Sequence, residues 1–177
     1  MEFSILYVIQ NLRSPLLDAL ILGLTNIMGS YGQIWLIVGA ALCVFKKTRK
    51  CGITILISYV LVFLVGQYGL KDLIARARPC HLDETIELIV ERPSSYSCPS
   101  THTAWAFAAA TSILLYFRKP GIAVMAVAVL IGFSRLYLFV HFPTDVLLGA
   151  VLGAVLAFVT AKIIFGRKVH KEESVYE

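Results

Sequence analysis

CGITILISYVLVFLVGQYGL, residues 51–70, is a run of twenty residues without a formal charge. As a helix rising about 1.5 Å per residue it covers the roughly 30 Å hydrocarbon core of a bilayer. A buried helix of a soluble domain is the competing reading. Against it, 58% of the 177 residues are hydrophobic and the mean hydropathy is +0.79, more than a soluble domain of this length carries.

Upstream, nothing is charged between Asp18 and Lys46, but Gly23, Gly29, Ser30 and Gly32 interrupt the stretch. It reads as two segments joined near residues 29–32, the first expected to be tilted or only partly inserted. Downstream, Thr101–Phe117, Gly121–Val140 and Val146–Phe165 each read as a further span. The opening residues Phe3 to Leu12 are too short to span and lack a basic leader or a small-residue cleavage site, so a cleavable signal peptide is not expected. The expected fold class is all-α: a polytopic membrane helix bundle of about six transmembrane helices in a single domain, 1–177, with a tail at 166–177. No internal repeat, low-complexity tract or second domain is evident.

Short basic loops stay in the cytoplasm. Lys46, Lys47, Arg49 and Lys50 form one such loop, Arg118 and Lys119 a second, and Arg167, Lys168 and Lys171 lie in the tail. With six spans all three fall on one side, which places both termini in the cytoplasm. The connections Lys71–Ser100 and His141–Asp145 then share the extracytoplasmic side. Because the basic residues sit at span ends, the net charge of +5 is explained by orientation, and nucleic-acid binding is not expected.

Those two connections hold the unusual chemistry. Lys71 and Arg78 are seven residues apart and share a helical face if the span continues to Pro79. Ser100 precedes an Ala-rich span as a candidate cap, with free backbone N–H groups beyond it that attract an anion. Pro143 suits the first position of the last span, which puts His141 just outside it and Asp145 in its first turn, within reach of the imidazole. Taken singly, Lys71 and Arg78 could be interfacial anchors, Ser100 a mere cap, His102 and His141 interfacial, and Arg135 a structural partner of Asp145. Taken together, three cations, two histidines and a carboxylate map to the outer ends of neighbouring spans, where unneeded charge is costly.

Lys71 through Pro79 matches K-x6-R-P, Pro99 through His102 matches P-S-x-H, and Ser134 through Asp145 matches S-R-x5-H-x3-D. In these three motifs, covering a core of 71–145, the chain resembles the type-2 phosphatidic acid phosphatase family. Thr101 departs from the pattern, standing where the family usually has glycine, close to the expected phosphate site. The resemblance implies that His141 attacks phosphorus to form a phosphohistidine, that Asp145 orients its imidazole, and that His102 protonates the leaving oxygen and then activates water. It implies that Lys71, Arg78 and Arg135, helped by Ser100 and the backbone at Thr101, bind the phosphate oxygens. The expected enzyme is a membrane phosphatase acting on a lipid phosphate or diphosphate, with undecaprenyl diphosphate favoured over phosphatidylglycerophosphate and phosphatidic acid. No metal-ligand spacing is present and three cations would repel a divalent ion, so no metal and no other cofactor is expected.

Three other functions stay open at this point. They are a non-catalytic module that binds or transports a lipid anion, a lipid phosphotransferase, and a vanadate-dependent haloperoxidase, the last disfavoured because those enzymes are soluble. The expected partners are the bilayer and a lipid phosphate, and the sequence leaves the oligomeric state open. Arg76 falls off the Lys71/Arg78 face and is expected to meet headgroups or water. Asp83, Glu84, Glu87 and Glu91 read as a solvated lid. Cys80 and Cys98 flank this outer loop, where a disulfide between them could persist. Gly149 and Gly153 form a small-xxx-small face of the kind that packs helices.

Overall fold

The computed structural model describes residues 1–166; the tail cations Arg167, Lys168 and Lys171 lie outside the described residues. Among the described residues nine α-helices follow one another: α1 Glu2–Gln10, α2 Pro15–Met28, α3 Ile34–Val44, α4 Arg49–Leu61, α5 Lys71–Ile74, α6 Pro79–Leu82, α7 Thr101–Tyr116, α8 Arg118–Tyr137 and α9 Pro143–Phe165. A π-helical stretch, Val62–Leu70, joins α4 to α5. Among the described residues there is no strand.

Local chemistry sets the boundaries. Ser14 caps α2, its hydroxyl accepting from the Leu17 N–H at 3.3 Å, with Pro15 in the first turn. The α2–α3 turn carries Gly29 at φ +68° and Gly32 at φ +65°, a left-handed conformation that only glycine adopts without strain. Thr48 ties the α3–α4 hairpin by donating to the Leu42 carbonyl at 2.7 Å. Pro143 opens α9, where Asp145 reaches back to accept the Phe142 N–H at 2.8 Å.

α7 is the axial helix. Its small residues Ala104, Ala106, Ala108, Ala109 and Ala110 are buried, and glycines on the neighbouring helices let the backbones touch. A Cβ at Gly153 would overlap the Ala104 carbonyl, one at Gly149 the Ser100 carbonyl, and one at Gly121 the Leu114 backbone. The small-residue face of α9 is therefore a helix-packing device within the chain. Near the top of this core the Trp105 ring stacks on Tyr59 at 5.2 Å and its Nε1–H donates to the Tyr59 carbonyl.

Among the described residues three segments are long and apolar enough to cross a membrane: Arg49–Leu82, Arg118–Tyr137 and Pro143–Phe165. Their outward faces carry large apolar side chains, among them Leu64, Leu147, Val151, Val155 and Ile163, each more than half exposed. Apolar surface of this extent seeks lipid. The ends of the bundle can be told apart. Tyr116 bonds Thr54 near the start of α4 and its ring meets Phe165 at the end of α9, so the two basic turns and the last described residues share one end. The three motifs lie at the other.

The count of six spans is not confirmed at the N-terminus. α1 and α2 are bent by 114° to each other, and both ends of α2 are tied to the motif end: Asp18 accepts from the Tyr137 hydroxyl, Thr25 accepts from Arg135, and the Gly29 carbonyl meets His102. Glu2 at the start of α1 accepts from Thr144 at the start of α9. The first residues and the end of α9 therefore lie at opposite ends of the bundle, not on one side together. The glycines at 29–32 and the polar residues Asp18 and Thr25 favour folding back over the site.

Candidate active site

The helix carrying Lys71 stops at Ile74, because Ala75 takes a left-handed conformation with φ 49°. Such a turn costs a non-glycine residue about 1 kcal/mol or more. It breaks the helical face on which Lys71 and Arg78 were expected to meet, and sends residues 75–78 on without helix. The two cations meet nonetheless, through Ser95: Lys71 Nζ donates to its hydroxyl at 3.3 Å, Arg78 Nη2 to the same hydroxyl at 3.0 Å, and Arg78 Nε to its carbonyl at 2.7 Å.

Lys71, Arg78, Thr101, His102, Arg135 and His141 line one cavity of about 250 Å³. Among the described residues on its wall there is no carboxylate. Both Lys71 and Arg135 are buried, and Arg135 is held by the Ser134 and Thr25 hydroxyls at 3.0 and 2.7 Å. A cavity with three fixed cations and no acid is built to receive an anion.

His141 is 3% exposed. Burial lowers its pKa to about 3, so its ring is neutral at physiological pH. Arg78 Nη1 lies 3.1 Å from Nε2; guanidinium can only donate, so Nε2 carries the lone pair and the proton sits on Nδ1. That proton faces Ser97 Oγ at 3.4 Å, and the Ser97 hydroxyl donates to Asp145 Oδ2 at 2.5 Å. Asp145 Oδ2 itself stands 3.8 Å from Nδ1. The expected carboxylate–imidazole pair is thus bridged by a serine that the motif reading passed over.

His102 bonds the Gly29 carbonyl through Nε2 at 3.1 Å. A carbonyl only accepts, so Nε2 is protonated and Nδ1 is left to give or take a proton. Thr101 donates to Gln67 Oε1 at 3.2 Å. Ser100 stands apart: it is the residue before α7, but its hydroxyl pairs with Thr103 at 2.9 Å and makes no side-chain cap, and it is not on the cavity wall. Its backbone N–H donates to the Asp145 carbonyl at 3.0 Å, locking the starts of α7 and α9 together.

Two further expectations are corrected. Arg76 turns inward: Nη1 donates to Asp145 Oδ1 and to the Thr144 hydroxyl, each at 2.7 Å, Nη2 donates to Glu2 Oε2 at 2.5 Å, and the guanidinium lies 4.0 Å over the Phe142 ring. Cys80 and Cys98 are free thiols. Cys80 is sunk in an apolar cluster with Leu6, Ile9 and Phe139, whereas Cys98 lies beside Asp145 and burial lifts its pKa to about 11. The acidic loop keeps Glu84, Glu87 and Glu91 exposed and is tied to the N-terminal segment, Asp83 accepting from Tyr7 at 2.7 Å and the Glu87 carbonyl from Arg13 at 2.7 Å.

Residues 51–168 match a family model described as the PAP2 superfamily. The chain is 36% identical over 144 residues to an undecaprenyl-diphosphatase of Sulfolobus acidocaldarius, covering 80% of this chain and 69% of that protein. It is 35% identical over 161 residues to phosphatidylglycerophosphatase B of Bacillus subtilis, covering 83% and 75%. The crystal structure of a transmembrane PAP2-type phosphatidylglycerolphosphate phosphatase from Bacillus subtilis superimposes with a TM-score of 0.72 at 30% identity, over 90% of this chain and 82% of that one.

Proposed function

The chain belongs to the PAP2 superfamily and is an integral-membrane lipid phosphatase, and from that premise we propose that it hydrolyses a lipid diphosphate through a phosphohistidine on His141. The observation that carries the reading is the bare Nε2 of a neutral, buried imidazole beside three cations on one cavity wall. Nε2 attacks phosphorus in line with the lipid oxygen. As the N–P bond forms and the P–O bond breaks, His102, which enters this step as the imidazolium with protons on both nitrogens, passes its Nδ1 proton to the departing oxygen and is left neutral. Water then attacks the phosphohistidine, His102 removes its proton, and the N–P bond breaks to release phosphate. Lys71, Arg78 and Arg135 neutralise charge on the oxygens throughout, and Arg78 exchanges its contact with Nε2 for one with the phosphate. The Ser97–Asp145 pair holds the Nδ1 proton as the ring becomes cationic.

Undecaprenyl diphosphate is the favoured substrate. Beyond the cations the wall continues with Gln67, Ser94 and Tyr31, polar groups suited to a second phosphate, and the undecaprenyl-diphosphatase resembles this chain over most of its length.

The test is phosphate release by purified protein in detergent with EDTA present, from undecaprenyl diphosphate, phosphatidylglycerophosphate and phosphatidic acid. Release that is fastest from the diphosphate, is unaffected by EDTA and falls at least about a thousandfold in His141→Ala is expected. Binding of these lipids without release would make the protein an anion carrier instead.

A further inference from the structure

The motifs account for Asp145 but not for what holds it. Its Oδ2 is occupied by Ser97 and the Phe142 N–H, while Oδ1 takes the Arg76 guanidinium at 2.7 Å. Arg76 is fixed on three further sides, by the Thr144 hydroxyl, by the Phe142 ring under its plane and by Glu2 Oε2 at 2.5 Å. Glu2 in turn accepts the Thr144 N–H at 3.2 Å and its hydroxyl at 2.7 Å. Glu2 and Arg76 are 30% and 28% exposed and Asp145 is fully buried. A continuous line of charged and hydrogen-bonded groups therefore runs from the rim of the molecule to the nucleophile: Glu2, Arg76, Asp145, Ser97, His141.

We infer that Arg76 is a positioning residue for the phosphatase reaction proposed above, holding the Asp145 carboxylate in the orientation that serves His141, and that Glu2 of α1 holds Arg76 in turn. The planar guanidinium binds one carboxylate oxygen and leaves the other to Ser97, which fixes the rotation of Asp145 about its side chain. Glu2 balances the charge, so that Arg76 does not draw the carboxylate away from the Ser97–His141 pair. Thus α1, which carries no motif residue, completes the support of the site.

An arrangement that merely docks α1 onto the bundle would change stability and leave turnover per folded molecule intact. The experiment measures kcat, KM and apparent Tm on the full chain, using the best substrate of the panel, for Arg76→Gln, Arg76→Lys, Glu2→Gln and the double variant. Arg76→Gln is expected to lower kcat roughly ten- to a hundredfold, the scale of one charge-assisted hydrogen bond, with KM within about twofold. Arg76→Lys, which keeps the charge, recovers part of that loss. Glu2→Gln is expected to cost roughly three- to tenfold in kcat, and the double variant to be no worse than Arg76→Gln alone, since Glu2 acts through Arg76. Should Arg76→Gln not fold, Glu2→Gln and Arg76→Lys carry the same comparison. A kcat within twofold of wild type in the folded variants, a rise in KM alone, or strictly multiplicative losses would overturn the inference while leaving the phosphatase reading intact. A wild-type chain that releases no phosphate from any lipid overturns both.

Discussion

Ser97 has no counterpart in the three motifs, yet it donates to Asp145 and faces the His141 ring. Ser97→Ala leaves the Asp145 oxygen short of one donor and the imidazole proton without its acceptor; kcat is expected to fall about tenfold with little change in KM, measured under substrate saturation. His141 makes a second prediction. Its pKa lies near 3 in the fold, chiefly through burial, and at the ordinary value of 6.5 once unfolded. As pH drops below about 6.5 the unfolded chain takes up a proton that the folded chain refuses, so stability declines with a limiting slope of about 1.4 kcal/mol per pH unit. Apparent Tm should therefore fall between pH 6.5 and 4 more steeply in wild type than in His141→Asn. His141, His102 and the three cations, which the structure brings to one cavity, could be picked out of the sequence because each sits at a fixed interval within a motif. Ser95, Ser97, Arg76 and Glu2 were not, since their roles arise from contacts as much as 142 residues apart in sequence. The cluster of serines in the stretch 94–100 was the one available signal, hydroxyls concentrated beside two motifs.

Among the elements, α9 depends on its glycines. A valine at Gly153 would push its side chain into the Ala104 carbonyl and the Ala108 backbone, which no rotamer relieves. Gly153→Val is expected to cost at least about 3 kcal/mol or to abolish folding, whereas Val155→Ala on the lipid-facing side, where Val155 is 52% exposed, should change apparent Tm little. The long apolar helices were readable because twenty uncharged residues have few places to go but a bilayer. The first segments misled because hydropathy does not register a bend: α1 and α2 are apolar enough to pass as a span, while their polar residues Glu2, Asp18 and Thr25 bond to groups at the motif end. The Lys71–Arg78 pair shows the same limit. A helical period placed them together, and an extended segment with a shared serine accomplishes it.

At the scale of the whole molecule, the basic turns at Lys46–Lys50 and Arg118–Lys119 share the end opposite the cavity, and because short basic loops stay in the cytoplasm we propose that the cavity opens on the extracytoplasmic face. Single cysteines test this in a cysteine-free background: Ser4→Cys and Glu84→Cys should react with an impermeant maleimide in intact cells, and Lys119→Cys only after permeabilisation. Labelling of positions 84 and 119 from the same side would overturn the topology. A cavity walled by three cations and no acid also has an effect on traffic through the enzyme. On the proposed reading such a wall holds phosphoryl oxygens and is indifferent to what they are attached to, so free orthophosphate, the product of the proposed reaction, is expected to compete for the same seat. The rate in a living membrane then follows the phosphate content of the surrounding fluid as well as the supply of lipid, and a phosphate-buffered assay would record a throttled enzyme where a chloride medium of equal ionic strength would not.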